Sequence, residues 1–128
     1  MIFIDASYYL SLLNSQDNNH NKAVEMSLCH KNEVYITSQA VLGEVLTVGS
    51  QRIDKKLAIE FVEEILKSQT RVILETKDYV DDAFSIFKQA ESKNISWVDC
   101  YSLAIMKKLK IKKALSFDKH FRQLIQLT

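Results

Sequence analysis

The chain has 128 residues, 47% hydrophobic and 26% charged, with 17 basic against 16 acidic residues for a net charge of +1. That supports one compact domain over residues 1–128 with a real core, and zero proline with two glycines leaves no room for a flexible linker or low-complexity region. No stretch approaches the roughly 20 apolar residues that span a bilayer, and a net charge of +1 alone says nothing about nucleic acid.

Ile2-Phe3-Ile4 is continuously apolar, as in a strand buried on both faces of a parallel sheet. It meets Asp5 at once and has no basic flank, unlike a signal peptide. Ser7 opens a helix over 8–13, and a second helix is expected over 20–32. Residues 34–36 form the next strand. Thr37 or Ser38 caps a helix through Val48 that ends near Gly49, and Asp54 caps another with Leu57, Phe61, Val62 and Ile65 on its apolar side. A third strand follows at 71–74. Thr76 or Lys77 then begins an amphipathic helix that stops near Asn94, and Ser96 caps a largely apolar helix over 97–109. Residues 113–117 read as a fourth strand, 119–124 as a helical turn and 125–127 as a short last strand. Strands alternating with helices predict an α/β fold: a mostly parallel sheet of four to five short strands, with helices on both faces. Cys29 and Cys100 lack a partner motif and read as reduced thiols of an intracellular, cytoplasmic protein.

Four carboxylates interrupt this apolar pattern. Asp5 ends the first strand, and Asp118 follows Ala114-Leu115-Ser116-Phe117. Glu44 sits among Val41, Leu42 and Val45, and Asp99 among Trp97, Val98, Cys100 and Tyr101. A buried carboxylate must be paired, protonated or bound to a cation. In a parallel sheet, ligands gather beyond the carboxyl ends of the strands, where Asp5 and Asp118 fall and where the helices bearing Glu44 and Asp99 begin. One shared pocket holding Mg²⁺ or Mn²⁺ is therefore expected. Each acid also has a plainer reading: Asp5 and Asp118 as helix N-caps, Asp99 in a capping box with Ser96, Glu44 as a solvent-facing side chain. Glu44 fits its plain reading worst, because Ala40, Val41 and Val48 share its face.

The joint pattern resembles the PIN-domain ribonucleases, and within them the small VapC-like toxins of prokaryotic toxin–antitoxin pairs. The resemblance rests on Ile2-Phe3-Ile4-Asp5-Ala6-Ser7, on Glu44 after Ile36-Thr37-Ser38, on residues 95–104 around Asp99, and on residues 115–121 around Asp118. It covers the whole chain in order. It implies a PIN-like three-layer sandwich and an acidic quartet of Asp5, Glu44, Asp99 and Asp118 that binds Mg²⁺ or Mn²⁺, with Ser7 and Ser116 as supporting hydroxyls. It further implies a homodimer, a small antitoxin as partner, and RNA as substrate, with tRNA or rRNA leading. Ala6 stands where many members carry Thr or Ser, and Cys100-Tyr101 replaces a small-plus-aliphatic pair.

Chemically, a carboxylate-held divalent ion would lower the pKa of water and neutralise phosphoryl oxygens, with Asp5 and Asp99 the more direct ligands. Seven basic residues lie between positions 107 and 122 against the one acid Asp118. Lys107, Lys108, Lys110, Lys119 and Arg122 are the candidate RNA contacts, giving affinity without base specificity; a solvated helix end is the plainer explanation. Tyr8, Tyr9, Trp97 and Tyr101 read as core or dimer interface more readily than as base-stacking platforms. The rival readings are a catalytically inactive PIN-like interaction module, a housekeeping RNA-processing nuclease, and a receiver-like signalling domain, in which Glu44 has no role.

Overall fold

The computed structural model describes residues 1–126. In chain order the elements are β1 (Ile2–Ile4), α1 (Ala6–Leu13), α2 (His20–Cys29), β2 (Tyr35–Ser38), α3 (Gln39–Arg52), α4 (Lys55–Lys67), β3 (Arg71–Ile73), α5 (Lys77–Gln89), α6 (Trp97–Leu109), β4 (Ala114–Leu115) and α7 (Lys119–Gln126). The strands form one sheet in the order β3-β2-β1-β4, and every neighbouring pair is parallel. β1 lies inside the sheet and all three of its residues are buried, which is why its sequence is apolar without alternation.

The chain steps one way from β1 to β2 and β3, then crosses back to lay β4 on the other side of β1. With right-handed crossovers this reversal sends the later helices to the opposite face. The packing largely divides accordingly: α1 contacts α2, α3 and α4, whereas α5 contacts α6, and α6 contacts α7; α3 also touches α6, joining the two groups. Helix–sheet–helix layers result, as expected. Phe3 of β1 meets Phe121 of α7 at 6.5 Å between ring centroids, and the Tyr8 hydroxyl donates to the Ala23 carbonyl at 2.9 Å, joining α1 to α2. The gap between β1 and β4 is the topological switch, and their carboxyl ends open onto it.

Three expectations change. Gly49 does not end α3, which runs on to Arg52. A Cβ at Gly49 would stand 3.1 Å from both Ala58 and Leu13, so glycine there lets α3 approach α4 and α1 closely. Asn94 is not the stop of α5, which ends at Gln89 with Ala90 as its cap; Asn94 lies in the loop before α6. The last strand over 125–127 is absent as far as the described residues go, because Ile125 and Gln126 continue α7, while Leu127 lies outside them. Phe121, Leu124 and Ile125 follow the i, i+3, i+4 helical spacing, and that period prevails over the alternation of Ile125 and Leu127.

Candidate active site

Asp5 immediately follows β1 and is the N-cap of α1, its carboxylate accepting from the Ser7 N–H at 3.4 Å. Its Oδ2 also accepts from the Ser7 hydroxyl at 2.7 Å and the Ser116 hydroxyl at 2.8 Å. Ser7 Oγ in turn accepts from the Phe117 N–H at 2.9 Å, and Ser116 Oγ from the Asp118 N–H at 3.1 Å. Each hydroxyl has a single proton, and both are spent on Asp5; the 3.1 Å approach of the two hydroxyls is a shared destination rather than a bond of its own. Two serines thus fasten the chain after β4 to the acid after β1, across the switch. Ser7 also supplies the hydroxyl that Ala6 lacks.

Asp118 caps α7, its Oδ1 accepting from the N–H groups of His120 at 2.8 Å and Phe121 at 3.4 Å. Asp99 completes a capping box: the Ser96 hydroxyl accepts from the Asp99 N–H at 3.0 Å, and the Asp99 carboxylate from the Ser96 N–H at 3.3 Å. The plainer capping readings of all three aspartates therefore hold, and they do not compete with a shared site. For Asp5 and Asp118 capping is what aims the carboxylate, because the first turn of a helix after a strand projects beyond the sheet edge; Asp99 is fixed by its capping box at the start of α6.

All four acids line one cleft of ≈160 Å³, together with Ser7, Leu10, Asn94 and Ser96. Glu44, on the second turn of α3, is half-buried and plays no capping role. Burial pushes its carboxyl up to about 7, and the charges of Asp5, Asp99 and Asp118 add to the rise. Burial likewise lifts Asp99 to about 6, opposed by the Ser96 N–H and reinforced by Asp5 and Asp118. Asp5 is raised by burial against the lowering effect of the two serine hydroxyls. Mutual repulsion links four residues more than a hundred positions apart, and no cation offsets it: the five salt bridges among the described residues all lie elsewhere.

Residues 2–126 match the PIN domain model over nearly the whole chain. The chain belongs to the PIN-domain family. This PIN domain is 32% identical over 121 residues to the 23S rRNA-specific endonuclease VapC20 of Mycobacterium tuberculosis, in strains CDC 1551 / Oshkosh and ATCC 25618 / H37Rv; the match covers 94% of this chain and 92% of the relative. It superposes on the crystal structure of Mycobacterium tuberculosis VapC20, a Sarcin-Ricin loop cleaving toxin, with a TM-score of 0.88 and 30% identity, covering 96% of this chain and 94% of that one.

The PIN domain disperses the basic residues singled out in the sequence. Lys108 turns toward α5, 3.9 Å from both Asp78 and Asp82 and 5.0 Å over the Tyr79 ring. Lys110 is the left-handed C-cap of α6, eleven positions and so roughly 16 Å along the helix from Asp99. Lys107 lines a different cleft, with His120. Lys119 and Arg122 are exposed on the first turn of α7, next to Asp118. Tyr8, Tyr9 and Tyr101 are core, whereas Trp97 is exposed at the start of α6. Asn94 and Ser96 are cleft residues that sequence reasoning treated only as a helix stop and a cap; small polar residues around Ile95 gave no sign of a wall.

Proposed function

We propose that this PIN domain is a metal-dependent endoribonuclease that hydrolyses phosphodiester bonds of RNA, and that it is the toxin of a toxin–antitoxin pair. The observation that carries the reading is the convergence of Asp5, Glu44, Asp99 and Asp118 on one cleft at the topological switch, where they repel one another with no cation to offset them. An all-carboxylate donor set suits a hard divalent cation, Mg²⁺ or Mn²⁺. Among the described residues no three acids are close enough to hold an ion by themselves; Mg²⁺ commonly uses one or two carboxylates directly and completes its shell with water. Asp5 and Asp99, the two most buried, are the direct ligands, with Glu44 and Asp118 acting through water.

A divalent ion held by these acids would lower the pKa of its bound water and neutralise charge on the phosphoryl oxygens. Ser7 and Ser116 hold Asp5 through Oδ2. Asp118 spends Oδ1 on the start of α7, whereas among the described residues no hydrogen bond reaches the Glu44 carboxylate. Glu44 is therefore the group placed to take the proton of the attacking water onto its carboxylate.

Similarity to an rRNA-specific endonuclease supports rRNA as the leading substrate class, with tRNA next. A toxin of this kind works in the cytoplasm beside a small antitoxin protein; no helix of the described residues is long and apolar enough to cross a membrane. Homodimerisation is supported by exposed apolar side chains on α2 and α4, among them Leu28 at 66% and Leu66 at 60% exposure. Structured RNA incubated with the protein and Mn²⁺, with and without EDTA, tests the activity. Cleavage abolished by EDTA and by Asp99→Asn is the expected result. Cleavage by Asp99→Asn at the parent rate would refute the metal-site assignment, whereas a parent that cleaves no RNA with Mn²⁺ would leave an inactive interaction module as the better reading.

A further inference from the structure

A second cleft, of ≈480 Å³, opens between α5, α6 and α7. Its volume falls within the roughly 300–1,000 Å³ of small-molecule pockets, whereas the ≈160 Å³ acid cleft falls below it. A hydrated ion and a phosphate group would together fill the acid cleft. A nucleotide that places its phosphate there must seat its base elsewhere.

Neighbouring residues of the same loop and of the same helix start line the two clefts. In the loop before α6, Asn94 and Ser96 line the acid cleft, while Ser92 and Ile95 line the larger one. On the other side, Asp118 lines the acid cleft and His120 the larger one, and the His120 N–H is bonded to Asp118 Oδ1. The larger cleft has apolar walls in Ile86, Ile95 and Leu103, and exposed neutral hydrogen-bonding groups in Gln89 and Gln123. Its one lysine, Lys107, is matched by one acid, Glu91. Balanced charge, apolar walls and amide groups offering both donors and acceptors suit the flat face and polar edge of a base better than a phosphate.

We infer that the cleft between α5, α6 and α7 seats an unpaired base flanking the scissile phosphate, with Gln89 and Gln123 reading its edge. The inference rests on the ribonuclease reading and assigns that site its specificity pocket. Sequence-specific RNA recognition acts on splayed, unstacked bases, which loops provide.

The test compares two substrates with Mn²⁺ present: a stem-loop RNA with a randomised loop, and bis(p-nitrophenyl) phosphate, a diester with no base. Gln123→Trp fills the cleft, and the double variant Gln89→Ala/Gln123→Ala removes the reading groups without adding bulk, so that one remains informative if the other fails to fold. Expected is a fall of about tenfold or more in the ratio of RNA cleavage to base-free hydrolysis for Gln123→Trp, and a levelling of loop-base preference by a similar factor for the double variant. An unchanged ratio and an unchanged preference would overturn the inference, and would leave a protein segment as the better occupant of the cleft. Failure of the ribonuclease reading looks different: the parent cleaves neither substrate, or cleaves both regardless of Asp99→Asn.

Discussion

Glu44→Gln should make the metal-free protein more stable, and only above a definite pH. The Glu44 carboxyl rises from 4.5 to about 7 on folding, chiefly through burial and then through Asp5, Asp99 and Asp118. An acid whose folded pKa lies above its unfolded value resists ionisation in the folded state, so stability is lost as pH climbs from the unfolded value through the folded one. At about 1.4 kcal/mol per pKa unit the ceiling is ~3 kcal/mol, and water screening at a half-buried side chain reduces this to about 1–2 kcal/mol. Gln removes the charge and keeps the shape. The variant should match the parent near pH 4, gain through the window from 4.5 to 7, and hold a plateau at pH 8 worth roughly 4–8 °C in Tm. Thermal melts in EDTA across that range provide the measurement. Adding Mn²⁺ should reverse the order, because the parent then gains binding energy that the variant lacks. A variant less stable than the parent at pH 8 in EDTA, or a difference flat across pH, would refute the raised Glu44 carboxyl and with it the burial and charge crowding that raise it.

Ser116→Ala removes one of the two hydroxyl donors to Asp5 and the acceptor of the Asp118 N–H. It should cost about 1–3 kcal/mol in urea melts and reduce RNA cleavage, with Asp5 raised further. Lys108→Gln should lose under about 1 kcal/mol and leave cleavage nearly unaltered, since Lys108 is occupied with α5, whereas Lys119→Gln/Arg122→Gln should weaken RNA binding across sequences and flatten its salt dependence in a titration. Sedimentation at micromolar concentration should give twice the 14.8 kDa chain mass; a clean monomer would remove the exposed faces of α2 and α4 as a self-association surface.

Local signals in the sequence determined the strands, the helices and their caps. The apolar run of β1 and the capping residues Ser38, Asp54 and Ser96 all act within a few positions, and each occurs where the residues themselves indicate. The four acids were legible for a related reason: charge in an apolar run is costly wherever the chain goes, so it marks a site before the fold is known. Resemblance to PIN-domain chains joined them into one quartet.

Tertiary structure decided what depends on which surfaces meet. Nothing local says that Ser7 and Ser116, 109 positions apart, converge on the same oxygen of Asp5, because that follows from β4 pairing beside β1. Nor could charge counting separate Lys108, claimed by two aspartates of α5, from Arg122 beside Asp118. Gly49 looks like a helix terminator by composition, and only the packing of α4 and α1 shows that it is a contact point. The larger cleft is the extreme case: its walls are ordinary residues of three helices and a loop, and it exists solely because the crossover after β3 brings them to the same edge as the acids.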